Sequence, residues 1–96
     1  MYKITKTSLY EEIDELNRRY NLNDKTCFQF RLRTGYRGYK IILKMNMPYG
    51  TLETSITDGY LSPKECLNNL YQKFYDHQLD CEIAYFSKWA ERFCRR

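Results

Sequence analysis

"CFQFRLRTGYRGYKIILKM", residues 27–45, decides the fold. In "CFQFRLR", Phe28, Phe30 and Leu32 point one way while Gln29, Arg31 and Arg33 point the other, the period-two alternation of a half-buried strand. "TGYRG" follows as a turn with two glycines. "YKIILKM" then alternates again, with Tyr39, Ile41, Leu43 and Met45 set against Lys40, Ile42 and Lys44. "NMPYG" is a second turn. "TLETSIT" is a weaker third strand with Leu52 and Ile56 on one face. Three short strands joined by tight turns, each with one apolar face, read as an antiparallel meander covered on one side.

The flanks supply the cover. Ser8-Leu9-Tyr10-Glu11 has capping-box spacing, with Ser8 at N-cap and Glu11 at N3. Leu9, Ile13, Leu16 and Tyr20 follow as one helical stripe. Acidic residues in the first turns and Arg18-Arg19 in the last complement the helix dipole, so a helix is expected over 8–20. "NLND" at 21–24 ends it. Downstream, Ser62 caps, Pro63 sits at N1 where its missing N–H costs nothing, and Glu65 closes a second box. Leu67, Leu70, Tyr71 and Phe74 form its apolar stripe. A third helix is expected over about 80–94, with Ile83, Phe86, Ala90 and Phe93 on one face. Residues 76–80 fit either a break or a continuous surface turn.

The order α-β-β-β-α-α makes an α+β chain, one domain spanning residues 1–96. At this length only roughly 60–65% of the unfolded surface is buried, so one modest core is available. It should join Phe28, Phe30, Leu32, Ile41 and Leu43 to Leu9, Ile13, Leu67, Leu70 and Phe74.

Charge is sided. The net charge is +4, too small to name a partner. Yet Lys25, Arg31, Arg33, Arg37, Lys40 and Lys44 lie in a stretch, 25–52, without Asp or Glu, while Glu11, Glu12, Asp14 and Glu15 cluster upstream. On the expected pleat Arg31, Arg33, Lys40 and Lys44 share the uncovered face with Gln29 and Ile42, and Tyr36 and Tyr49 flank it in turns. Cations with neighbouring aromatics can hold single strands of nucleic acid, but the aromatic-bearing strand face of an RNA-binding sheet is missing. Strands facing water also carry long charged residues for solubility alone.

Other chemistry is sparse. His77 and Cys81 have i, i+4 spacing, but nothing supplies an orienting group or oxyanion hole. No C-x-x-C pair points to zinc, and "GYRG" is not a phosphate loop. No catalytic residue, metal or cofactor is implied. Trp89, Tyr85, Phe86 and Phe93 are more aromatic than one stripe needs and serve either core or self-association. "RFCRR" at 92–96 reads as a helix C-terminal charge set. "MYKITKTSLYEE" lacks the apolar core of a signal peptide, and no run reaches the roughly 20 apolar residues of a membrane span. Cys27, Cys66, Cys81 and Cys94 are therefore expected as free thiols in a cytoplasm.

"GYRGYKIIL" followed by "GYLSPKECLNNL" resembles small accessory proteins of phages and mobile elements of Gram-positive bacteria. The likeness covers residues 8–74 and includes a helix carrying Leu16-Asn17, though Arg37 interrupts the glycine pair. The element order is also similar to that of some anti-CRISPR proteins. The resemblance implies no active site. It implies a non-enzymatic protein of the host cytoplasm that inhibits a defence complex, such as a Cas9-type effector, by direct binding. The contacts would come from Arg31, Arg33, Tyr36, Arg37, Lys40 and Lys44. A small single-strand DNA- or RNA-binding module using the same face is the second reading.

Overall fold

The structure, a computed structural model, describes residues 3–23 and 26–93. Lys25, the Phe93 side chain and the closing 94–96 fall outside that description. The elements are α1 (Lys6–Arg19), β1 (Phe28–Gly35), β2 (Gly38–Met47), β3 (Gly50–Ser55), α2 (Pro63–Tyr75) and α3 (Gln78–Phe93). The α-β-β-β-α-α order is the expected one. The three antiparallel strands form an open sheet in the order β1-β2-β3, with Phe30 opposite Leu43 and Met45 opposite Leu52.

The core is one layer between sheet and helices. Phe28, Phe30, Ile41, Leu43 and Met45 pack with Leu9, Ile13 and Leu16 of α1, Cys66 and Leu70 of α2, and Leu79 and Phe86 of α3. The opposite sheet face is left uncovered. The expected core pairing holds with adjustments. Leu32, Leu67 and Phe74 are only partly buried, whereas Cys66, Leu79 and Phe86 are fully inside. Cys66 and Leu70 are thus the buried positions of α2, with Leu67 and Phe74 at the margin of the core.

α1 begins before the expected boundary. Thr5, not Ser8, is the N-cap, and the Thr5 N–H donates to Ser8 Oγ at 3.2 Å. Ser8 therefore occupies N3 of an earlier box, and the first turn carries no acidic residue. Dipole complementarity at this end consequently does not account for the Glu11–Glu15 cluster. Arg18 and Arg19 do sit in the last turn.

α2 and α3 are separate helices. Asp76 is the C-cap of α2, and His77 turns the chain with φ 61°, the left-handed conformation that commonly stops a helix. His77 C=O then accepts from Cys81 N–H at 3.3 Å, and α3 follows.

Two side chains finish the sheet. Asn17 offers its amide to β1, accepting from Phe30 N–H at 2.8 Å and donating to Phe30 C=O at 3.2 Å. It thereby takes the place of a neighbouring strand at that edge. Past β3, Ile56 N–H and Thr57 N–H both reach Ile41 C=O, and the buried Thr57 hydroxyl accepts from Ile41 N–H at 3.1 Å. The chain then rejoins β2 where Leu61 pairs with Tyr39.

The expectation of four free thiols is overturned. Cys66 and Cys81 are free, but Cys27 is disulfide-bonded to a partner outside the described residues. Inferring redox state from compartment carries no geometry, whereas pairing depends on which cysteines the fold brings together. Cys66 is buried, and burial pushes its thiol up in pKa, which makes it inert.

Two outcomes follow. Leu70 is 1% exposed, so Leu70→Ala should cost roughly 2–5 kcal/mol in urea denaturation. Thiol titration of unreduced protein should find one reactive group in the native state, exposed Cys81. Denaturation should add Cys66 only, and reduction should release the rest.

Candidate interaction face

The register sets the uncovered face residue by residue. Arg33 stands opposite Lys40, Arg31 opposite Ile42, and Gln29 opposite Lys44; on the far side of β2, Ile42 faces Ser55 and Lys44 faces Glu53. Arg31, Arg33, Lys40 and Lys44 thus share the face as expected. One assumption fails. The 25–52 stretch lacks acid, but the next residue, Glu53, brings a carboxylate onto the same face. Arg33 Nη2 reaches both Glu53 oxygens, one at 2.8 Å.

That ion pair crosses β2 diagonally, from the position beside Lys40 to the position beside Lys44, and so passes over Ile42. This explains why Ile42, the one apolar residue on the open face, is 3% exposed. Long charged side chains cover apolar surface with their stems while keeping their heads in water. The pair spends Arg33 and removes one carboxylate from the neighbourhood of Lys44. Among the described residues Arg31 and Lys44 have no hydrogen-bond or ion-pair partner.

At the hairpin tip the glycines and the turn geometry are decoupled. Tyr36 and Arg37, with φ 46° and 61°, form the two-residue loop between paired Gly35 and Gly38. Two positive φ values are the pattern of a type I′ turn, which Asn-Gly fits best. The glycines answer a different demand. A Cβ on Gly35 would stand 3.0 Å from the Tyr60 ring, and one on Gly38 would stand 2.9 Å from Leu61 O. Both are there for close approach. Tyr36 is displayed at 91% exposure with its ring edge-on to Tyr60 at 5.2 Å. Lys40 Nζ lies over the same Tyr60 ring at 4.8 Å, a cation–π contact.

The six expected contact residues therefore divide. Tyr36, Arg37 and Lys40 gather at the tip with Tyr60. Arg33 is tied to Glu53 at the centre. Arg31 and Lys44 line a groove of about 190 Å³ at the opposite end, with Asn23, Cys27, Phe28, Gln29 and Asn46. Tyr49, alone in the second turn, is 96% exposed. Tyr60, Glu53, Asn23 and Asn46 were not anticipated, whereas Gln29 was placed on this face by the alternation. Glu53 was readable, since Thr51, Glu53 and Ser55 alternate with Leu52. Tyr60 was not, because its approach to Gly35 accompanies the return of the chain to β2 at Leu61, a contact between distant residues.

Among the described residues no hydrogen bond joins the side chains of His77 and Cys81. His77 Nδ1 faces Asp80 Oδ2 at 3.2 Å, and Tyr20 OH donates to Asp80 Oδ1 at 2.6 Å. Desolvation, then the Asp80 bond, pushes Tyr20 up to about 12. The bond from Tyr20 holds the Asp80 carboxyl below its usual range. This cluster ties the end of α1 to the start of α3. On α1, Glu12 accepts from Tyr71 OH and Glu15 pairs with Arg18, so the acidic cluster is partly engaged. Phe86 is buried in the core, with Trp89 packed against it and Tyr85 half exposed. Among the described residues, no group of three or more His, Cys, Asp or Glu side chains is gathered to hold a metal, and no helix is long and apolar enough to cross a membrane.

Comparison of the chain with protein-family models, curated proteins and solved structures finds no match.

The tip makes opposite demands on neighbouring residues. Arg37→Gly should raise stability by roughly 0.5–1 kcal/mol, by relieving a left-handed residue. Gly38→Ala should lower it by roughly 1 kcal/mol or more, through overpacking against the Leu61 backbone. Urea denaturation of the two variants reads both signs.

Proposed function

We propose that this chain is a non-enzymatic binding protein whose uncovered sheet face docks an acidic surface of a protein partner. The observation that carries it is the composition of that face. Arg31, Lys40 and Lys44 are presented from a rigid sheet with Arg37 at its tip, and a carboxylate, Glu53, stands among them. The strands put no aromatic ring on that face. Single-strand binders pair a continuous cationic track with rings for base stacking. A central carboxylate and the lack of strand aromatics fit a mixed protein interface better. Tyr and Arg are also the residue types enriched where binding energy concentrates, and the tip presents Tyr36 beside Arg37.

The resemblance to accessory proteins of phages and mobile elements points the search for a partner toward a host defence complex, a Cas9-type effector among them. In a reducing host cytoplasm Cys27 would be a thiol, so binding should be compared with and without reductant.

Arg31→Glu combined with Lys40→Glu is the decisive variant. Exposed charges contribute little to folding, so its stability should change by less than about 1 kcal/mol. Capture of the partner from host lysate, nuclease-treated or not, should be lost. Capture that survives the double substitution would make the face a solvated surface only. Tight binding of the wild type to free DNA or RNA at physiological salt, falling steeply as salt rises, would replace the protein partner with nucleic acid.

A further inference from the structure

The two edges of the sheet are finished differently. Ile41 C=O accepts from Ile56 N–H, and Tyr39 exchanges both backbone hydrogen bonds with Leu61, whereas Asn46 N–H turns to the β1 side at Cys27. The backbone groups of an antiparallel strand alternate between its two neighbours. Leu43 and Met45 therefore bond Thr54 and Leu52, their register partners, and Thr51 and Glu53 direct their N–H and C=O outward. The same alternation sends Phe30 outward on β1, where the Asn17 amide meets both of its groups. β3 has no such plug. Among the described residues the outward backbone groups of Thr51 and Glu53 have no hydrogen-bond partner. Edges are commonly blunted by Lys, Pro, a bulge or a covering helix. "GTLETS" contains no Lys, Arg or Pro, its register with β2 is unbroken, and the helices pack against β1 and β2.

We infer that the outer edge of β3 is a self-association site, where a second copy of this chain adds its own β3 antiparallel about a two-fold axis. A row of open backbone groups calls for an extended strand, and charge and register select this one. β3 is the strand without a cation, so joining there keeps the Arg and Lys side chains of the two copies apart. Outward-bonding residues must meet outward-bonding residues, which leaves few registers. Centring on Thr51 runs into the turn at Tyr49. Centring on Glu53 opposes two carboxylates. Centring on Thr54 brings in Ser55, which borders a groove walled by Gln78 and Glu82 of α3. Centring on Leu52 sets Thr51 opposite Glu53 of the second copy, twice, and Leu52 opposite its own counterpart. Leu52 is only partly buried against the core, so this pairing extends the apolar layer across the join. The product is an isologous dimer with one continuous sheet and both basic faces on the same side. This inference stands apart from the docking reading, because the edge holds none of the proposed contact residues.

The test is sedimentation equilibrium of the full chain at physiological salt over a concentration series, which should show a reversible dimer. Backbone ¹⁵N shifts that follow concentration should centre on residues 51–53. In a mixture of labelled and unlabelled chain, an isotope-filtered NOE should join Leu52 Hα of one copy to Leu52 Hα of the other. Substitutions at exposed Thr51 read the register by sign. Thr51→Lys, facing Glu53 of the second copy, should tighten the dimer and Thr51→Asp should weaken it, each by roughly fivefold because the contact occurs twice. Thr51→Pro removes an outward N–H and leaves the ladder to β2 intact, so it should abolish the dimer with the urea midpoint unchanged. Should that variant fail to fold, the Lys and Asp variants decide. Arg31→Glu with Lys40→Glu should leave the dimer intact, so this proposal and the docking reading fail separately. A chain that is still monomeric at about 1 mM, or a dimer indifferent to Thr51, would overturn the site. Lys and Asp at 51 acting in the same direction would overturn the pairing of β3 with itself.

Discussion

A three-stranded sheet in a chain this short can be covered once. The apolar faces of β1 and β2, Phe28, Phe30, Ile41, Leu43 and Met45, draw all three helices to one side. Nothing then remains for the other side. The bareness of the charged face is therefore a consequence of core economics in a small domain, where surface outweighs interior. Ile42 shows the cost of that arrangement. Central in the sheet, it is hidden by an ion pair and not by a helix.

That ion pair also organises the electrostatics. Had Glu53 paired with Lys44, its direct cross-strand neighbour, charge would be neutralised locally and evenly along the face. Pairing with Arg33 across β2 instead produces a neutral middle flanked by cations at both ends. The aromatic tip around Tyr36 and Tyr60 and the amide-lined groove around Arg31 and Lys44 become separate features with different chemistry. Either could engage a partner without the other.

The legible parts of this molecule are those set by local pattern. Period-two alternation identified both faces of β1 and β2, because a pleat admits one register once a face is buried. The Ser62-Pro63 start of α2 was equally readable. The α1 start was misplaced by three residues, because Thr5 and Ser8 can each cap and the two boxes overlap; both choices satisfy local rules. What stayed hidden depends on distant residues meeting. Cys66 replaces Leu67 as the buried position of α2, its thiol set against Thr57 and Ile41, which lie far from it in sequence. The Cys27 disulfide requires two chain segments to converge. The groove requires Cys27 to meet Asn46 at the end of β2. Within the candidate face, all four strand cations were placed correctly, while Glu53 was missed by treating the acid-free stretch as if it were the whole face.

The turn at Tyr36-Arg37 has a consequence for the order of events during folding. Hairpins with Asn-Gly at this position can begin at the bend, since the bend is favourable before any strand contact exists. Here both loop residues disfavour the required φ values, so an isolated 35–38 segment has little reason to close. Closure must be driven from the far end and from outside the hairpin, by Phe30 meeting Leu43 and by Asn17 holding β1 at Phe30. This exposed bend is then among the last parts to form, and α1 takes part in making the hairpin instead of docking onto one already made.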